Sequence, residues 1–245
     1  MTMEDAGQIQ GLLGPRSVSL GLAAHPCSYL DGREAIDEGY LTLQLSPARY
    51  QRLMDLGFRR SGHIVYRPVC QGCQACQPLR VLVEEFKPSK SQRRVLKRNA
   101  DVVLELGEPS LTPEKLSLYQ RYLEFQHPGT RQDAGLETLR DWLYSSCTAT
   151  LEACYRDRSG RLVGVTILDL CPRALSSVYH FFEPQEAKRS LGVYSVLAEI
   201  EFCRAKGLPW YYLGFWVRGC PKMEYKSDYA PFELMVGGRW VRGED

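Results

Sequence analysis

The chain has no run approaching the ~18 consecutive apolar residues that a membrane helix requires. Its first ten residues, MTMEDAGQIQ, carry acids and no apolar core, so no secretory signal is expected there and the expected location is the cytoplasm. Net charge is also scarce. Thirty-one Lys and Arg against 29 Asp and Glu leave +2, so affinity for nucleic acid has to come from a local patch and not from a global field. Internal repeats and low-complexity tracts are missing. Nine cysteines, an odd number without an export signal, argue against a disulfide framework. What remains is the composition of an ordinary soluble protein, 44% hydrophobic and 24% charged over 245 residues, long enough for one large domain or two small ones.

The most legible chemistry lies in YRPVCQGCQACQPLR, from Tyr66 to Arg80. Cys70, Cys73 and Cys76 stand at two-residue spacing, and thiolates so placed suit zinc or an iron–sulfur cluster. Three sulfurs leave one tetrahedral corner open, for which Cys27 in HPCSYL is the candidate. The alternative is a set of reduced thiols packed under a loop. A bacterial ferredoxin would supply a fourth cysteine soon after the third, whereas Cys76 is followed by Gln77-Pro78-Leu79-Arg80.

Around this block the pattern alternates between strands and helices. Residues 1 to about 22 show no sustained periodicity and read as a flexible lead-in. LTLQL (41–45) alternates as a half-buried strand does. Ser46 caps a helix with Pro47 at its first position, a stripe of Tyr50, Leu53 and Met54, and Gly57 at its close. FRRSGHIVYRP reads as turn and strand with Arg59 and Arg60 exposed, and His63 in that strand reads as a surface residue. A further strand begins near Leu79. Then FKPSKSQRRVLKRN forms the one basic concentration. If Ser89 caps a helix, Lys90, Arg93, Arg94, Lys97 and Arg98 share one broad face, suited to a sugar-phosphate backbone.

Turn formers in LGEPSLTP suggest two domains, 1–105 with the cysteine block and basic segment, and 106–245. In the second, Thr112 and Pro113 open a helix, another spans Leu136 to Tyr144, and three strand-like runs follow: TATLEACY, RLVGVTILDL and ALSSVYHFF. Ser190 caps a long helix with Val193, Val196, Leu197, Ile200 and Cys203 inward and Gly207 at its end, and WYYLGF follows as a strand. The order strand-strand-strand-helix-strand predicts an α/β fold of acetyltransferase type. Coenzyme A, however, needs a bare Gly-rich turn before the long helix to cradle its pyrophosphate. Arg189-Ser190-Leu191-Gly192-Val193 begins such a turn, but Tyr194 stands where Gly or Ala belongs, so the scaffold is expected without the coenzyme.

From about His25 to Leu234 the chain resembles the bacterial aspartate/glutamate leucyltransferases, relatives of the eukaryotic arginyl-tRNA–protein transferases. The carriers are HPCSYL, YRPVCQGCQACQPLRV, FKPSKSQRR, SLGVYSVLAEIEF, YYLGF and CPKMEYK. Two departures stand out: Gln126 precedes His127 where the family usually has Arg, and Phe182-Glu183-Pro184 replaces a more usual Tyr-Asp-Pro. The resemblance implies transfer of leucine from leucyl-tRNA to proteins that begin with Asp or Glu, marking them for degradation. An arginyl donor is the alternative within the family, and an iron–sulfur redox carrier, an ordinary acetyltransferase and a noncatalytic RNA-binding module are the alternatives outside it. No cofactor is needed for the transfer itself, and any metal at Cys27, Cys70, Cys73 and Cys76 would be structural or regulatory.

That reaction makes limited demands. The donor ester is already activated, and the acceptor α-amine, with a pKa of about 7.7 to 8, is partly neutral at cellular pH. Approximation and oxyanion stabilisation remain, for which Tyr212 and Tyr225 are the candidates. Ser190 and Gly192, at the helix start, are expected to contact substrate. An acidic first residue calls for a fixed cation: Arg80 and Lys226 are preferred, with Arg67 and Lys222 in reserve. The basic helix is assigned to tRNA.

Overall fold

The computed structural model of the chain describes residues 3–126, 128 and 135–243. His127 lies outside them. Helix α1 (Met3–Leu13), β1 (Val18–Pro26), β2 (Glu34–Leu41), α2 (Pro47–Met54), β3 (Arg59–Ser61), β4 (Ile64–Pro68), β5 (Cys76–Leu82) and α3 (Lys90–Arg98) build the first part. Then come β6 (Val103–Gly107), α4 (Pro113–Gln126), α5 (Leu136–Leu139) continued by a π-helical turn (Arg140–Tyr144), β7 (Thr150–Arg156), β8 (Leu162–Cys171) and β9 (Ala174–Phe182). A 3-10 turn (Pro184–Arg189), α6 (Leu191–Ala205), β10 (Trp210–Val217), α7 (Pro221–Glu224), a second 3-10 turn (Tyr225–Asp228), β11 (Phe232–Val236) and β12 (Arg239–Arg242) complete it.

The strands form two sheets, ordered β1-β2-β4-β3 and β12-β11-β5-β10-β9-β8-β7-β6. β5 belongs to the larger sheet, hydrogen-bonded between β10 and β11, although it lies in the expected first domain. The expected boundary at residues 105/106 falls inside β6. All pairings in the larger sheet are antiparallel except β9 with β10, which run parallel over only three positions, from Trp210↔Ala174 to Tyr212↔Ser176. Beyond them the two strands splay apart. That arrangement, antiparallel strands followed by a helix and a strand that returns parallel and diverges, is acetyltransferase-like, as the order of elements predicts.

Short-range chemistry places most elements where the sequence suggests. Ser46 caps α2 by accepting from Arg49 N, and Ser89 forms a reciprocal capping box with Gln92 on α3. Three expectations need correction. Residues 3–26 form α1 and β1, because Ile9, Leu12 and Leu13 are buried in a core shared with α2. The expected strand at 41–45 ends at Leu41, with Glu34–Leu41 extended instead. Arg59 and Arg60 are buried, not exposed, because β3 is covered by the larger sheet.

α6 covers one face of the larger sheet, burying Leu191, Val196, Leu197, Ile200 and Cys203 against Leu175, Tyr211 and Leu213. α4 covers part of the other, with Leu118, Tyr119 and Leu123 against Val165, Ile167 and Phe181. At roughly 1.5–3 kcal/mol per buried large apolar side chain, these faces hold the β9–β10 splay as a rigid opening in a packed sheet.

Candidate active site

The splay encloses a cavity of about 540 Å³. β9 lines it with Ser177, Tyr179 and His180, α6 with Gly192 and Ser195, and β10 with Gly214 and Phe215. The cavity is notable for its cations. Arg59 enters from β3, and its guanidinium donates to Ser176 Oγ (2.9 Å) and to the Ser177 carbonyl (2.5 Å). Lys226 enters from the turn after β10, and its Nζ donates to the Phe215 carbonyl (2.7 Å). Among the described residues neither has a carboxylate within 4.0 Å, although both are buried. Burial, then the neighbouring Arg59 charge, pushes Lys226 down to about 7.

Gly214 makes this pairing of cations feasible. Its φ of +88° is left-handed, and a Cβ there would sit 3.3 Å from Lys226 Nζ and 3.8 Å from Arg59 Nη2. A side chain would therefore be strained by the backbone and would occupy the space between the two charges. Desolvated cations of this kind favour an anion brought from outside, since no resident carboxylate neutralises them.

Of the expected acid readers, only Lys226 lies in this cavity. Arg80 donates to Asp55 (3.1 Å), Glu233 (2.6 Å) and Tyr212 Oη (3.1 Å), and lies 4.1 Å from the Trp240 ring centroid and 4.3 Å from that of Trp210. Arg67 pairs with Glu38 at 2.8 Å above the Phe58 ring. Lys222 is exposed on α7 and does not line the cavity. Tyr212 is buried in the core beneath α2, donating to Asp55 and accepting from Arg80. Both it and Arg80 therefore brace β10 against α2. Tyr225 lines the cavity at its exposed rim.

Gly192 lines the cavity, whereas Ser190 does not. Ser190 takes the left-handed conformation (φ 58°), with no capping bond from its side chain. The turn before α6 is held by the chain itself. Asn99 Nδ2 donates to the Arg189 carbonyl (2.9 Å), Arg98 donates to the Lys188 carbonyl, and Tyr194 Oη donates to the Val102 carbonyl (3.1 Å). The phenol of Tyr194 thus ties α6 to the residue just before β6, where a pyrophosphate would need bare backbone.

All five basic residues of α3, Lys90, Arg93, Arg94, Lys97 and Arg98, are exposed, while Gln92 and Val95 face inward. The first turn of this helix borders a second hollow of about 480 Å³, lined by Ser89, Ser91 and Gln92 together with Val193 and Tyr225. Val193 and Tyr225 also line the cationic cavity, so the two hollows are neighbours.

Cys27, Cys70, Cys73 and Cys76 share a largely apolar chamber of about 420 Å³, separated from the cationic cavity by Tyr29, Tyr66 and Phe215. The Cys70 sulfur accepts from Ile36 N (3.3 Å) and the Cys27 sulfur from Leu30 N (3.4 Å). Burial and the other three sulfurs push the Cys76 thiol up to about 12. The donor chemistry suits zinc or iron, but among the described residues no three His, Cys, Asp or Glu side chains are arranged to hold a metal ion.

Sequence reasoning missed Arg59, and it also missed His180, which lines the cavity, and Glu199, which lies behind its wall. Arg59 and Arg60 are adjacent in a strand and so point to opposite faces, but nothing local tells which face meets a cavity.

A cavity between diverging strands, walled by a helix start, defines a scaffold of acetyltransferase type. The solved C-terminal domain (DUF2156) of an Agrobacterium fabrum protein shares this fold, with a TM-score of 0.50 at 13% identity, covering 78% of this chain and 62% of its own. The sequence matches the family described as arginine-tRNA-protein transferase, N terminus, over residues 25–94 and its C terminus over residues 114–236. Aspartate/glutamate leucyltransferases of Teredinibacter turnerae and Saccharophagus degradans are 41% and 40% identical to it, each across 89% of this chain and 90% and 93% of their own lengths. The chain belongs to the aspartate/glutamate leucyltransferases, within the arginine-tRNA-protein transferase family.

Proposed function

We propose that this chain transfers leucine from leucyl-tRNA to the α-amine of cytoplasmic proteins whose first residue is Asp or Glu, creating an N-terminal degradation signal. The observation that carries the reading, beyond family membership, is the pair of buried cations without a carboxylate, Arg59 and Lys226, in the cavity of an acyl-transfer fold. An aspartyl or glutamyl side chain would supply the missing anion, with the forked guanidinium gripping it and Lys226 adding a point charge. The acceptor's α-amine, only a few bonds away, is then held within the same cavity.

The basic face of α3 takes the tRNA backbone, and the hollow past Ser89 and Tyr225 admits its aminoacylated end. The amine attacks the ester carbonyl. Tyr225, a hydroxyl donor at the rim, stabilises the oxyanion, and the ribose hydroxyl leaves. The largely apolar chamber beyond Tyr29, Tyr66 and Phe215 offers leucine a non-polar neighbour, and Asp37 in its wall is already engaged by His25. Incubation of the protein with labelled leucyl-tRNA or arginyl-tRNA and peptides beginning with Asp, Glu or Ala tests this reading. Label should pass from leucyl-tRNA to the Asp and Glu peptides far faster than to the Ala peptide. Transfer from arginyl-tRNA, or to Ala as readily as to Asp, would reject it.

A further inference from the structure

Behind the cationic cavity lies a polar chain that the transfer, as described so far, does not use. His180 lines the cavity, and its Nδ1 lies 2.8 Å from Thr166 Oγ1 on the neighbouring strand. Thr166 Oγ1 donates in turn to Tyr155 Oη (3.5 Å), the widest link, and Tyr155 donates to Glu199 Oε1 (2.8 Å). Tyr211 donates to the other oxygen of Glu199. Since the Thr166 hydroxyl proton is committed to Tyr155, Thr166 accepts from His180, which places the imidazole proton on Nδ1. Nε2 is left as a lone pair, buried and without a partner.

We propose that His180, Thr166, Tyr155 and Glu199 form a proton relay that deprotonates the acceptor's α-ammonium for attack on the leucyl ester. This rests on the transfer reading above. His180 Nε2 takes a proton from the ammonium, and Nδ1–H passes to Thr166. The Thr166 hydroxyl proton moves to Tyr155, and that of Tyr155 to Glu199. The freed amine lone pair forms the C–N bond, the bond from the carbonyl carbon to the ribose oxygen breaks, and that oxygen takes the amine's second proton. One proton remains on Glu199. After product leaves, the reverse hand-over to water in the open cavity restores the starting tautomer.

The electrostatics suit this division of labour. Burial holds the imidazole neutral, pushed down to about 3, so it hands charge on and does not keep it. Burial raises Glu199 to about 7, against the opposing hydrogen bonds of Tyr211 and Tyr155, close to the pH at which a terminal acceptor works best. The titratable groups facing Glu199 are Tyr155 from β7, Tyr211 from β10, Cys203 on its own helix, and Tyr225 and Tyr229 from the segment after β10, none of them a cation. His180 faces the rings of Tyr155 and Phe182.

The test is the single-turnover rate of leucine transfer to a saturating Asp peptide, between about pH 6 and about pH 8.5, for the wild type, Thr166→Val and Glu199→Gln. General base catalysis supplies about 10²-fold or more, so both variants should fall by about that factor near pH 6.5. The gap should close as the pH passes the acceptor amine's own pKa of about 8, where no base is needed. A peptide beginning with 3-fluoroaspartate, whose α-amine is more acidic, should restore both variants near pH 6.5. A loss of equal size at every pH and with both peptides means a structural role and overturns the relay, as does a wild-type rate in either variant. Should one variant fail to fold, the other and the fluorinated peptide decide. Failure of the wild type to transfer leucine at any pH would instead reject the transferase reading.

Discussion

Two groups of buried cations sit within one protein and differ in a single respect. Arg60, Lys115 and Arg80 each meet a carboxylate: Asp169 at 2.7 Å, Glu152, and Asp55 with Glu233 at 3.1 and 2.6 Å. Among the described residues, Arg59 and Lys226 meet only carbonyls, a serine hydroxyl and methionine sulfur. Neighbours in sequence, Arg59 and Arg60 fall on opposite sides of this division. Burial alone therefore does not mark a receptor for an anion. A desolvated cation with a resident partner holds the scaffold together, and one without a partner is poised for a ligand.

The largest effect should come from breaking a paired cation. Arg60→Met leaves Asp169 with no cation in a site where both side chains are fully enclosed. Denaturant unfolding should show a loss of about 3–5 kcal/mol, largely recovered by adding Asp169→Leu. Arg59→Met should do the reverse, leaving the unfolding midpoint nearly unchanged. It should lower kcat/KM for Asp peptides by about 10²-fold or more and spare the residual rate with Ala peptides. Arg80→Met should leave the preference for Asp over Ala intact, which would sharpen the contrast.

Lys226 allows a gentler test through pH. Its folded-state pKa of about 7 lies below the ordinary 10.5, so the unfolded chain binds the extra proton between those values. Stability should rise as the pH climbs through that window, and Lys226→Met should remove this part of the rise. An anion at the cavity favours charged Lys226, so KM for Asp peptides should increase as pH passes about 7, and the variant should lose that dependence. The smallest effect belongs to the exposed helix. Changing Arg94 and Lys97 to Ala should weaken leucyl-tRNA binding for every acceptor alike. The salt dependence of that binding should become shallower, by about one unit of slope for each phosphate no longer neutralised.

The role of the cysteine block looks different once the chain is folded. Its spacing stands out in the sequence, yet its sulfurs line a largely apolar chamber beside the cationic cavity. The cationic cavity instead draws on Arg59, a residue that local pattern presents as an exposed turn. Arg80 looks suitable in the sequence because it is a forked cation next to the cysteines. Its partners Asp55 and Glu233 lie 25 residues before it and 153 after it, a separation no local reading bridges. Tyr212 escapes local reading for the same reason, since Asp55 comes to its hydroxyl from α2.

By itself the sequence determined the helices with their caps at Ser46 and Ser89, the order of strands around α6, the basic face of α3 and, through extended motifs, the family. These depend on interactions within a few residues or on similarity along the chain. Only the tertiary structure decided which buried charges are neutralised, which tyrosine faces the cavity, and that His180 and Glu199 lie on one hydrogen-bonded path. Those outcomes turn on desolvation and on partners brought from distant strands, and both exist only once β9 and β10 have diverged around a closed core.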